Sequence, residues 1–443
     1  MRFSRKDLAN IIVPLIIEQT LAVTIGMADS VMVSSAGEAA ISGVSLVDTV
    51  NLLLVYLFSA LSAGGAVIIS QFVGKDDKYL ALKAAKQLVW VVFLTAMAIT
   101  VVAVAFRKPL LSLIFGSIEK DVMDNALIYF LFTALSYPFL GVYNACAAIF
   151  RSMGNSKTSM YSSVVMNLIN IGGNAILIMG FGMGAAGAAI ATLFSRVIGA
   201  GIMLLLLHNK NNIIYLEKMF DYKPDIGIIK NVCAIGIPNG LESGMFQFGK
   251  VLTQSVISTF GTVQIAANAV GNTLASFQYT PGIAIGLAMV TIVGQCVGAG
   301  EKKQAKYYTA ILLGIAFAML FVVSAVLCIF ADPIIGFFGL SAESSAVAKQ
   351  LIFSHSLFAC LMHPFAFAIA NSFRAASDVK YPLIMSTFSM WVFRVGFSYL
   401  LGIYFNLGVL GVWLAMYCDW IFRGTLNIIR FVRGTWLTKY KYE

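Results

Sequence analysis

Twelve stretches of this 443-residue chain are long and apolar enough to cross a lipid bilayer, which fixes the solvent before any other feature is read. They lie near 11–34, 44–70, 88–107, 125–150, 158–180, 185–207, 228–258, 266–296, 308–330, 346–373, 381–404 and 406–430. A hydrocarbon core of about 30 Å takes roughly 20 helical residues, and backbone in lipid must satisfy its own hydrogen bonds. The expected fold is therefore an all-α integral membrane protein of twelve spans. Composition agrees: only 11% of residues are charged, against about 25% in soluble chains.

The first apolar run is too long for the core of a signal peptide and no small-residue cleavage site follows it, so it is expected to stay as span 1. Of the 30 Lys and Arg, 22 lie at the two ends and in the segments after even-numbered spans (75–87, 151–157, 209–230, 301–306, 374–380). Arg107, Lys108, Lys120 and Lys349 lie on the other side. By the positive-inside rule both termini are expected in the cytoplasm, with the protein in the cell membrane. The net charge of +10 then reflects topology and predicts no nucleic-acid partner. Cys146, Cys233, Cys296, Cys328, Cys360 and Cys418 stand singly in apolar runs, so neither a disulfide framework nor a metal site is expected, and no cofactor.

The chain also matches itself. Pro14, Glu18, Gly37, Gln71, Pro109 and Gly187 recur as Pro238, Glu242, Gly261, Gln295, Pro333 and Gly411, each 224 positions later. Between Pro109 and Gly187 the register slips by one, pairing Gly116 with Gly339 and Arg151 with Arg374. This divides the chain into an N-lobe at 1–208, a polar cytoplasmic linker at 209–225 and a C-lobe at 226–443. Six spans per lobe put both lobes the same way up, the parallel-repeat symmetry of transporters that move two bundles about a central site. Duplicated bundles also serve as channels or scaffolds.

Several segments resemble a known family. PLIIEQ…GMADSVMVSSAGEAAISGVS, SQFVGKDD, AIFRSMGNSKTSMY, NLINIGGNAIL and GAAGAAIAT in the first lobe, with IPNGLESG, VGQCVGAGEKKQA and SFRAASDVKYP in the second, are similar to the multidrug and toxic compound extrusion (MATE) transporters, in their DNA-damage-inducible-like bacterial branch. The resemblance covers essentially the whole chain. It implies a V-shaped pair of six-helix bundles, monomeric, that exports amphipathic and mostly cationic organic compounds in exchange for H⁺ or Na⁺ by alternating access, without enzymatic activity.

Embedded polar residues are the candidates for chemistry, because lipid rejects them. Asp29, fifteen residues after Pro14 in span 1, matches the family's N-lobe cation site. The positions matching its partners are Asn170 and Asn174, four apart on one face of span 5, and Thr192 on span 6. This oxygen set suits Na⁺ or a hydrogen-bonded proton; Na⁺ at Asp29 is the only metal the reading admits. Many relatives carry aspartate where Asn174 stands, and its neutral amide leaves proton coupling at least as well supported. The repeat mate of Asp29 is Thr253, so the C-lobe lacks this carboxylate.

Glu18 and Glu242 each follow an embedded proline by four residues. As repeat mates they are expected at similar depth, facing an apolar cleft between the lobes and able to exchange protons or attract a cation. His363 stands near the position where relatives often carry an acidic residue of a C-lobe site, and reads either as a proton carrier or as part of a kink before Pro364. Lys250, Arg394, Asp419 and Arg423 are expected to form structural ion pairs in the C-lobe. Tyr137, Phe150, Phe246, Phe277, Gln278 and Tyr279 are candidate cavity residues, although most aromatics should be core or lipid-facing. Two other classes compete. A lipid-linked saccharide flippase of the same superfamily calls for a cavity ringed by bases, and here embedded bases are few. A membrane enzyme calls for a catalytic loop with paired carboxylates, which the short loops lack.

Overall fold

The structure, a computed structural model, describes residues 2–116, 118–217 and 222–440. Residues 218–221 of the expected linker lie outside them. No strand occurs among the described residues, and the helices follow the apolar stretches closely. In chain order they are α1 (Arg5–Ser34), α2 (Glu38–Gly74), α3 (Lys78–Ala105), the short α4 (Arg107–Phe115), α5 (Lys120–Ser152), α6 (Ser156–Asn174) and α7 (Gly184–Leu207). The second series is α8 (Ile226–Ile257), α9 (Thr262–Gly298), α10 (Lys302–Ile329), the short α11 (Ala331–Gly336), α12 (Ala342–His363), α13 (Ile369–Ala375), α14 (Lys380–Ser389) and α15 (Gly408–Arg433). α6 continues as π-helix over Ala175–Gly180, α12 joins α13 through π-helix over Pro364–Ala368, and α14 runs on through π-helical Met390–Gly396 and Ser398–Tyr404. With these continuations there are twelve long helices among the described residues.

Nine of the twelve are apolar enough to span on composition alone, and α5 makes a tenth although bent by 44° at 135–137, next to Pro138. The two that fall short, α8 and α15, carry Glu242 with Lys250 and Asp419 with Arg423. Their charges are an exception to be explained by function or pairing.

The chain forms two compact units, Ala9–Gly240 and Met1–Leu8 with Leu241–Glu443, here the N-unit and the C-unit. In the N-unit, α5 lies against α2, α3 and α7, and α6 against α7. Its core includes Val47, Phe58, Leu111, Phe130 and Ala185. In the C-unit, α9 lies against α10, α12 and α13. Its core includes Ala267, Leu351, Ala359, Trp413 and Tyr417. The start of the chain is held in the C-unit, where the Phe3 amide donates to the Tyr308 hydroxyl at 2.9 Å and the Arg2 amide to Gln304 Oε1 at 2.8 Å.

The duplication read in the sequence is present in the backbone. Left-handed residues come in pairs: Gly37 and Gly261 at φ +102° and +88°, Asp76 and Gly300, Gly116 and Gly339, Gly154 and Ser377, Gly182 and Asn406, Gly184 and Gly408. Gly37 and Gly261 have ψ of 166° and 168°, a region closed to residues with a Cβ, and each starts the second helix of its unit. The offset is 223 at Ser377 and 224 at Asn406, so one extra residue enters the C-unit between them. π-helix over Met390–Gly396 stands where the N-unit has α-helix, and a π-turn is how a helix absorbs one residue.

Both embedded glutamates are neutralised inside their own unit. Glu18 on α1 takes Arg151 Nη1 of α5 at 3.1 Å and the Ser159 hydroxyl of α6 at 2.8 Å. Glu242 on α8 takes Arg374 Nη2 of α13 at 2.6 Å and the Ser386 hydroxyl of α14 at 2.7 Å. A buried carboxylate is stable when an opposite charge and hydrogen bonds take up its lone pairs, and both glutamates have them. Removing one partner strands the other. Glu18→Gln is expected to lower the stability of the purified protein by about 3–5 kcal/mol, read from denaturant unfolding, and adding Arg151→Gln should restore part of it. A double variant no more stable than the single would show that the pair is not what holds α1 to α5.

Candidate functional site

Asp29 sits on α1 opposite the polar end of α6, where Asn170 and Asn174 are one turn apart and buried. The Asn174 amide donates to Asp29 Oδ1 at 2.8 Å. The Asn170 amide, turned so that its nitrogen rather than its oxygen faces the acceptors, donates to both Asp29 oxygens at 3.0 Å. Asn170 Oδ1 then lies 3.3 Å from the Thr192 hydroxyl on α7, whose single proton can go there or to the Ala188 carbonyl 2.9 Å away. Asn174 Oδ1 is buried and receives no hydrogen bond. The four residues that the sequence groups are in contact. They form a carboxylate held by neutral amide dipoles, with amide and hydroxyl oxygens alongside.

A second layer was missed from sequence. Asp48 on α2 accepts from the Tyr129 hydroxyl of α5 at 3.0 Å and from Asn51 at 3.2 Å, and the Tyr137 hydroxyl donates to Asn51 Oδ1 at 2.6 Å. Arg196 on α7 donates to the Ser136 hydroxyl at 2.7 Å and lies within electrostatic reach of both Asp29 and Asp48. The set therefore holds two carboxylates and one guanidinium, a formal charge of −1. The signal was available, since Asp48 and Arg196 are also embedded charges in their spans. Tyr137, a candidate cavity residue, belongs to this buried network, and Phe150 is likewise core.

The remaining candidates lie in the C-unit. His363 is buried between aromatic rings, stacked on Tyr279 with 5.8 Å between centroids and 5° between planes, 4.9 Å from Phe367 and edge-on to Trp420. Its Nδ1 has no hydrogen-bond partner. Gly282 provides the room, for a Cβ there would lie 2.8 Å from Nδ1. Gln278 is also internal, bonded to Ser324 at 2.6 Å, Ser356 at 3.0 Å and His355 at 2.5 Å. Asp419 is wholly buried and pairs with Arg423 Nε at 2.6 Å, while the Ser389 hydroxyl bonds the same carboxylate oxygen. Arg394 Nη1 makes a longer ion pair with the other oxygen, Asp419 Oδ2, at 3.9 Å, and that oxygen receives no hydrogen bond. Lys250 does not join these pairs: it is exposed on α8 and has no ion-pair partner among the described residues. No group of acidic, His and Cys side chains able to hold a metal by themselves occurs among the described residues.

Known proteins resemble this chain along its whole length. The MatE family model matches residues 14–176 and again 238–400, two matches separated by the repeat offset. The uncharacterized transporter YisQ of Bacillus subtilis is 28% identical, with 96% of this chain and 94% of that protein covered. The probable multidrug resistance protein NorM of Thermotoga maritima is 26% identical, with 98% and 93% covered. Among solved structures, an outward-facing conformation of a multidrug resistance MATE family transporter superposes with a TM-score of 0.92 at 22% identity, over 98% of this chain and 96% of that one. The family model alone takes in well over half the chain, so the protein belongs to the MATE family of membrane transporters.

Proposed function

We propose that the protein is a secondary active exporter in the cell membrane, moving amphipathic and mostly cationic organic compounds by alternating access in antiport with H⁺ or Na⁺. The coupling ion is held at Asp29, Asn170, Asn174 and Thr192. The observation that carries this reading is the state of Asp29: its hydrogen bonds come from two amides and from no fixed opposite charge. A carboxylate paired with arginine, as Glu18 is, keeps its charge through a transport cycle. One held by neutral dipoles can exchange its counter-ion. The names of several relatives, probable multidrug resistance proteins, support the substrate class.

The groups of the site can accommodate either ion. A proton on Asp29 turns one acceptor oxygen into a donor, and Asn174 Oδ1, which receives no hydrogen bond, can accept it once the amide turns over. Na⁺ draws on the same oxygens, Asp29, Asn174 Oδ1 and the Thr192 hydroxyl, which are the hard ligands it prefers. Arg196 offsets one of the two carboxylates, and Asp48, tied to Tyr129 and Asn51, sets the field in which Asp29 works.

Two measurements test the reading. In proteoliposomes loaded with a fluorescent organic cation, a pH or Na⁺ gradient imposed alone should drive dye across the membrane, and Asp29→Asn should cut the driven flux at least about tenfold. Full flux in the variant removes Asp29 from coupling; no flux of any such dye with either gradient removes the exporter. In the second, Asn174→Asp adds a carboxylate to the oxygen set and should make flux respond to Na⁺ at about tenfold lower concentration. An unchanged Na⁺ response would mean that Asn174 does not face the ion.

A further inference from the structure

The C-unit contains a polar cluster that its own side chains leave unbalanced. Glu242, Phe246 and Lys250 are spaced by four on α8 and so form one stripe. Phe246 is covered by two guanidinium groups, Arg394 at 5.2 Å and Arg423 at 5.6 Å from its centroid. Next to the stripe, Gly249 packs directly on Met390 and Phe248 on Trp391, with ring centroids 5.9 Å apart, which brings the π-helical stretch bearing Arg394 against the Lys250 end of α8. Lys250 and Arg394 are close enough to repel.

Four cations, Lys250, Arg374, Arg394 and Arg423, here face two carboxylates, Glu242 and Asp419. Arg374 and Arg423 take those two as their partners, at 2.6 Å each. Arg394 shares Asp419 with Arg423, reaching the second carboxylate oxygen only at 3.9 Å, and Lys250 has no ion pair among the described residues, so the cluster keeps two positive charges in excess. A guanidinium carries five N–H donors, and those of Arg394 find one hydrogen-bond acceptor among the described residues, the sulfur of Met416 at 3.1 Å. Yet its side chain is only 12% exposed. An excess of positive charge amid apolar helices is costly unless something negative joins it.

The internal repeat shows what this place is. Asn170 and Thr192 of the N-unit site recur 224 positions on as Arg394 and Met416, and the contact between each pair recurs with them, at 3.3 Å and 3.1 Å. Asp29 recurs as Thr253, one turn beyond Lys250. The backbone that frames a cation site in one unit frames bases in the other.

We propose that Arg394 and Lys250 form a binding site in the C-unit for the anionic group, a carboxylate or a phosphate, of an amphipathic ligand whose apolar part lies along Phe246. The fate of a bound ligand rests on the exporter reading, whereas binding does not. Substrates then include zwitterions, with a cationic body and an acid group.

Binding is tested on the full-length protein in nanodiscs of phosphatidylcholine, without any gradient, by the fluorescence anisotropy of rhodamine B and of its ethyl ester, which differ only in the free carboxylate. The acid should bind about tenfold more tightly than the ester, as a charge-assisted hydrogen-bonded pair provides. Arg394→Gln and Lys250→Met should each bring that ratio towards one, and Lys250→Arg should retain it. Thermal melting in the same discs identifies a variant that has not folded, and if Arg394→Gln fails there, Lys250→Met decides. Phosphatidylglycerol added to the discs separates the sources: displacement of the acid shows a site shared with lipid headgroups, and no displacement a site for soluble anions. A ratio near one in the unaltered protein, or a ratio unchanged by folded Lys250→Met, overturns the proposal. Because no gradient is used, that result stays distinct from a failure of ion-driven export.

Discussion

Hydrocarbon offers no water to an ionised side chain, so a charge in these helices is costly unless the helices themselves, or something bound between them, compensate it. Two kinds of compensation are present. Glu18 and Glu242 each meet an arginine and a serine from the same unit, and such a pair is closed: its charges cancel and its lone pairs are occupied. Asp29 meets the amides of Asn170 and Asn174, which stabilise its charge without cancelling it. The difference separates structure from function more sharply than depth or residue type does. A closed pair fastens helices, and an open one leaves a charge for a mobile ion to answer.

Gene duplication gives the comparison an internal control. The two units share their left-handed turns, their proline four residues before a glutamate, and the arginine that meets it. Against this common frame the polar faces diverge, for Asp29 stands opposite Thr253 and Asn170 opposite Arg394. What the backbone requires has been kept in both halves. Where it is indifferent, one half carries an acidic set with charge −1 and the other a basic excess.

Legibility in the sequence follows the same physics. Spans, all-α class and duplication were readable because lipid imposes a run length and a repeat imposes an offset, and both are properties of one dimension. Asp29 with Asn170, Asn174 and Thr192 came from the family resemblance, and the i, i+4 spacing of the two asparagines placed them on one face. The pairing of Glu18 with Arg151, 133 residues away, was not readable, since a sequence gives height along a helix but not which way a side chain faces around it. Asp48 is a charge within its span but near its end, and the tyrosine and asparagine around it are what show that it is engaged. His363 drew attention as a titratable residue, yet the rings of Tyr279, Phe367 and Trp420 enclose it. Lys250 failed the expectation of an ion pair for the opposite reason: the nearby acids were already taken.

The charge count also bears on the proposed exchange. With Asp29, Asp48 and Arg196 ionised, the N-unit site carries −1, so one monovalent cation makes it neutral and a second does not fit the balance. A neutral site can be carried through a low-dielectric interior at small cost, while an empty one carries a charge that the amides only partly stabilise. On the proposed exporter reading, the ion-loaded state would then pass more readily between the two sides than the empty state, which is the bias that coupling requires. Asparagine at 174 keeps the count at one. An aspartate there would bring the site to −2, so that one H⁺ or one Na⁺ would leave it at −1 and two cations would be needed to neutralise it.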